Sequence, residues 1–129
     1  MPAVLVAFAP AGRPNEYFSV VKQMSEPLLT IEEIQDLESS LAAEYALDQV
    51  VIQDWDILPT VDEHPASGPY IYSLTFWANK GDAFGFAKGF VGTDTPILTN
   101  EQLKEVEADF SRAMGFIEIV VIGCHPLIG

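Results

Sequence analysis

Apolar residues along this chain switch between two periods, and the switches come in the same order in both halves. Val4 to Ala9 is a short apolar run, and Tyr70 to Ala78 is a longer one rich in Tyr, Ile, Thr, Phe and Trp. Both compositions suit strands. A turn with glycine follows each, Pro10-Ala11-Gly12-Arg13-Pro14 and Asn79-Lys80-Gly81-Asp82. Second strands are expected over 16–22 and 83–91. Gly85, Gly89 and Gly92 in the later one mark a bulge or close packing. The period then becomes helical. Ile31, Ile34, Leu37, Leu41 and Tyr45 share one face, as do Leu103, Val106, Phe110 and Met114; such stripes are core faces. Thr30 and Thr99 stand as N-caps, with Glu33 and Gln102 three residues on to complete a capping box twice. Gly115 is placed to end the second helix. Strands over 49–53 and 117–122 close the halves, and the near-continuous apolar run of the second predicts a central strand buried on both faces.

The two halves also match residue by residue. A shift of 69 lays Pro27-Leu28-Leu29-Thr30 on Pro96-Ile97-Leu98-Thr99 and pairs Glu38 with Glu107, Ala46 with Gly115 and Ile52 with Val121. Upstream it pairs Leu5 with Leu74 and Phe8 with Trp77. The expected fold is therefore α+β: one domain over 1–129, made of two ββαβ halves related by a pseudo-twofold, with repeats 3–53 and 72–122 joined by 58–69. A lone unit of this size leaves a sheet face uncovered, so the halves are expected to pack together as one sheet or as two facing sheets.

Along the first later strand, Tyr70, Tyr72, Leu74 and Phe76 fall on one face and Ile71, Ser73, Thr75 and Trp77 on the other. Two-sided burial is the simpler expectation. A contact surface around Trp77, serving a second copy of the chain, is the alternative.

Charge narrows the function. The 129 residues carry 19 acids and 6 bases, a formal net of −13. That opposes direct nucleic-acid binding and docking on anionic membranes. No apolar stretch reaches the roughly 18 residues of a membrane span. The N-terminal apolar run lacks a basic flank and reads as a strand rather than a leader. One cysteine, Cys124, leaves no internal disulfide and fits a cytoplasmic, reducing compartment. The excess is also uneven. Between Gln23 and Asn79 there is no Lys or Arg, while eleven carboxylates fall there. Such a field speeds encounter with a cationic surface. The expected function is thus a small acidic cytoplasmic protein-binding module of the inhibitor or immunity type. It would meet a basic protein surface through Glu32, Glu33, Asp36, Asp54, Asp56, Asp62 and Glu63.

Catalytic and metal chemistry come second. No phosphate loop, nucleophile elbow or zinc-protease motif occurs, so no cofactor is expected. Asp54, Asp56, Asp62 and His64 supply oxygen and imidazole donors suited to a divalent cation, in a spacing unlike an EF-hand loop. Cys124 and His125 are adjacent on a strand and point to opposite faces, which opposes a nucleophile–base pair. Finally, Met1-Pro2 and Gly12-Arg13 resemble the tautomerase superfamily. That resemblance implies a fold of duplicated βαβ units, Pro2 as general base and Arg13 as carboxylate binder. The chain departs from that pattern after Arg13, where residues 15–29 precede the capped helix.

Overall fold

Each helix starts at its threonine. Thr30 accepts from the Glu33 N–H while the Glu33 carboxylate accepts from the Thr30 N–H, and Thr99 with Gln102 repeats the exchange. Two of the four orphan donors at each N-terminus are thereby satisfied. The helices are α1 (Ile31–Glu44) and α2 (Asn100–Met114). Around them run β1 (Ala3–Pro10), β2 (Phe18–Gln23), β3 (Val50–Leu58), β4 (Tyr70–Asn79), β5 (Phe84–Thr93) and β6 (Glu118–Leu127). The computed structural model describes residues 3–13, 16–24, 30–58 and 70–127. The protein is α+β, with two three-stranded antiparallel sheets in the orders β2-β1-β3 and β5-β4-β6. The joint expected over 58–69 lies outside the described residues except for Leu58, which ends β3.

The α2 helix ends as its sequence requires, on Gly115 in the left-handed region at φ 74°. At the matching place after α1 stands Ala46, also left-handed at φ 55°. An L side chain pays for that conformation where glycine does not. Ala46→Gly is therefore expected to stabilise the protein by about 0.5–1 kcal/mol, after the added flexibility of the unfolded chain is subtracted. A rise in the urea midpoint at unchanged slope checks it, and a fall overturns it.

Two apolar cores form. In the first, Val4, Val6, Phe8, Val20 and Val50 meet Leu41 of α1, with Leu37 and Tyr45 packed against them. Phe8 stacks on Phe18 at 5.5 Å and meets Tyr45 at 5.1 Å. In the second, Tyr72, Leu74 and Phe76 of β4 with Ile119 and Val121 of β6 meet Leu103 and Val106 of α2. Ala3, Leu5, Val21 and Leu58 join this second core from the other sheet. The first sheet thus has α1 on its outer face, while its inner face joins the two sheets.

Several expectations need correction. The residues of β1 and β4 that face the helices lie 68 apart, not 69. Val4, Val6 and Phe8 face α1 as Tyr72, Leu74 and Phe76 face α2, so pairing Leu5 with Leu74 and Phe8 with Trp77 crosses faces. A slip of one residue turns every strand side chain over, and periodicity alone does not register it. The last strand, β6, is an edge strand and not a central one. Its apolar run is explained by the first sheet packing beside it. Both third strands run further than expected, because each pairs along the length of β1 or β4; Asp54-Trp55-Asp56 lies inside β3 rather than at its end. The bulges are not at the β5 glycines. They sit where β3 passes Ala7/Phe8 and where β6 passes Thr75/Phe76, which leaves Gln53 and Ile122 as the extra residues. Gly89 serves close packing instead: a Cβ there would lie 2.7 Å from the Phe110 ring. Ile31 and Met114, expected on core faces, are 76% and 45% exposed. Trp77 is buried.

Candidate functional site

The acidic residues singled out by sequence divide between the two faces of the first sheet. Glu32, Glu33 and Asp36 are exposed on α1, over the outer face. Among the described residues none of them makes an ion pair; the pairs present are Arg13–Glu16, Lys22–Glu44, Lys104–Glu107, Arg112–Asp109 and the His125–Asp56 contact. Glu33 is partly committed to the capping box. Asp54 and Asp56 lie across from Ala7 and Leu5 in the register, so both project from the inner face, toward the second sheet. Asp62, Glu63 and His64 fall outside the described residues.

The α1 acids and the β3 aspartates thus lie on opposite faces of the first sheet, and the free edge of β3 runs between them. An edge strand exposes unpaired N–H groups, and here α1 covers one of them: the Ile52 N–H donates to Glu38 Oε2 at 2.9 Å. One and two residues further on, Gln53 and Asp54 line a cleft between the sheets. On β6 the same device is buried. The Val121 N–H donates to Glu107 Oε2 at 2.7 Å, and Ser19 Oγ donates to the same oxygen at 3.0 Å. Lys104 Nζ lies 3.1 Å from Glu107 Oε1 and donates to the Ser19 carbonyl at 2.8 Å. Residues 38 and 107 on the helices, and 52 and 121 on the strands, are each 69 apart. The sequence match named both pairs without indicating their task.

The cleft has a volume of about 290 Å3. Both bulged residues, Gln53 and Ile122, face it. Tyr17 overhangs one side, 5.6 Å from Trp77 and edge-on to Phe86 at 5.5 Å. Thr75 and His125 complete its polar lining. Asp54 uses one oxygen on the next residue's N–H, at 2.9 Å. Asp56 sits deeper, where its Oδ2 accepts from the Cys124 N–H at 3.1 Å and lies 3.9 Å from His125 Nε2. Burial raises the Asp56 carboxyl above its ordinary range and outweighs the Cys124 hydrogen bond and the His125 interaction, which oppose it; the neighbouring Asp54 charge adds to the rise. Sequence reasoning missed Tyr17, Gln53 and Phe86, because only packing of the sheets brings them together.

Cys124 is buried and its thiol is pushed up to about 12, first by burial and then by the Asp56 charge. It stays protonated at neutral pH and is not a nucleophile. Among the described residues no three of His, Cys, Asp and Glu converge to hold a metal ion. Arg13 is exposed in the β1–β2 turn with Glu16 at 3.5 Å, and a strand rather than a helix follows it, unlike the βαβ unit the tautomerase resemblance implies. Pro2 lies outside the described residues. Among the described residues no helix is long and apolar enough to cross a membrane. No protein-family model, curated protein or solved structure matches this chain.

Proposed function

We propose that this protein is a small cytoplasmic binding module, of the inhibitor or immunity type, that recognises a basic protein surface. The observation that carries the reading is the exposed side of α1, where Glu32, Glu33 and Asp36 form no ion pair among the described residues; α1 contains no Lys or Arg and is paired only at its last residue, through Lys22–Glu44, whereas α2 carries Lys104 and Arg112, paired with Glu107 and Asp109. Uncompensated surface charge accelerates encounter with a partner of opposite sign and repels wrong ones. Asp54, exposed on the edge strand β3, adds negative charge from the other face of the same sheet.

We also infer that the chain is two ββαβ halves related by a pseudo-twofold. Equal strand orders, twin capping boxes, left-handed residues at 46 and 115, bulges at 53 and 122 and carboxylates capping strand edges at 52 and 121 support this. Duplication gives the molecule two equivalent helix faces; one has kept its net charge open for a partner.

The test is co-purification from the native host followed by stopped-flow association. Glu32→Lys with Asp36→Lys is expected to lower the on-rate at least about tenfold at low salt and to flatten its salt dependence. An unchanged on-rate overturns the reading. A second reading, an oligomerising domain, has one observation in its favour: Phe84, Phe86 and Phe90 are exposed on the edge strand β5. Sedimentation over a range of concentrations separates the two.

A further inference from the structure

We propose that the cleft between the sheets is a receptor for a single guanidinium group, the side chain of an arginine presented by the basic partner. The inference rests on the binding-module reading and supplies what that reading lacks, a defined point of recognition.

Three features select the ligand. The first is charge. Asp54 borders the cleft and no Lys or Arg among the described residues pairs with it. Lys88 lies on the same sheet face, opposite Thr75, yet forms no ion pair with either aspartate. The carboxylate is thus left for an external cation. The second is the aromatic wall. Tyr17 and Phe86 stand at 76° to one another with Trp77 behind Tyr17, and ring faces attract cations, guanidinium above all because it also stacks. The third is the distribution of acceptors. Gln53 and Thr75 line the cleft, and neither side chain has a hydrogen-bond partner among the described residues. Together with Asp54 they offer acceptors in several directions, which suits the fork of five donors on a guanidinium better than the compact ammonium.

Size and construction agree. About 290 Å3 is at the lower end of small-molecule sites, roughly 300–1,000 Å3, and fits one long side chain rather than a cofactor. Bulges re-aim side chains beside binding sites, and here one from each sheet turns toward the same space. Asp56, one strand step deeper and already engaged by the Cys124 N–H and close to His125, adds negative potential without being the direct partner.

The experiment uses the full chain and N-acetyl-arginine methylamide as probe, followed by amide and Trp77 indole NMR shifts. Binding in the millimolar range is expected, with shifts centred on Gln53, Thr75 and Gly123. The citrulline analogue, which keeps the shape and lacks the charge, is expected to bind at least about tenfold more weakly, because a charge-assisted bond is lost. Asp54→Asn, an exposed change that leaves the fold intact, is expected to weaken the arginine probe by a similar factor. Tyr17→Leu is expected to weaken it about two- to fivefold, and Lys88→Met to strengthen it. Equal binding of citrulline, equal or tighter binding of n-butylammonium, or full affinity in folded Asp54→Asn overturns the assignment. So does a probe that leaves the cleft resonances unmoved. If that happens while the Glu32/Asp36 reversal still slows association, the cleft assignment falls and the binding-module reading survives. If the probe binds and the reversal has no effect, the reading falls instead.

Discussion

Replacing Glu107 with alanine is expected to destabilise the protein by about 3–5 kcal/mol, far more than an average helix substitution. Its carboxylate is almost wholly buried and holds three groups from three elements: the Val121 N–H of β6, the Ser19 hydroxyl of β2 and Lys104 of α2. Val121 and Ser19 are each 1% exposed, so neither donor finds water once the carboxylate is gone. Two orphaned buried donors at roughly 1–3 kcal/mol each set the scale. Lys104 adds less, since it is half in solvent and can be hydrated. Glu107→Gln keeps one good acceptor but turns an amide donor toward the other site, so about half the loss is expected. The counterpart Glu38→Ala removes a single bond at a half-buried edge and is expected to cost about 0.5–1.5 kcal/mol. Urea titrations at constant slope measure all three. A Glu107→Ala loss no larger than that of Glu38→Ala would mean that water enters and replaces the carboxylate.

Phe76→Ala is expected to cost about 3–5 kcal/mol as well. Its ring is fully buried on the α2 side of β4, 5.5 Å from Phe110 and 6.3 Å from Phe116. The cavity cannot close easily, because Phe110 already presses on Gly89 and β4 is held by neighbours on both sides. Phe8→Ala, in the core under α1, is expected to lose a similar amount. Phe86→Ala, 60% exposed on β5, is expected to change stability by less than about 0.5 kcal/mol. Thermal unfolding midpoints rank the three variants. A Phe86 effect equal to that of Phe76 would show that the β5 face is covered in solution.

Much of the fold was legible without coordinates. The order of strands and helices follows from the changes of period, and the helix starts follow from Thr30/Glu33 and Thr99/Gln102, because a capping box is a contact between residues three apart. Little of the candidate site was legible. Asp54 and Asp56 were visible as an acidic pair, but their separation from Glu32 and Asp36 by the thickness of a sheet was not. Tyr17 and Phe86, 69 apart in sequence, carried no local mark of being neighbours.

By itself, then, the amino-acid sequence determined what depends on near neighbours: where helices begin, which helix face is apolar, and how unevenly charge is spread. The tertiary structure alone decided which face of β1 meets a helix, that β6 lies at an edge, and that Glu107 is buried while its counterpart Glu38 is only half so. The physical reason is the twofold period of a strand. Either face can serve as core, and one residue of register exchanges them; only the packing of distant elements selects one.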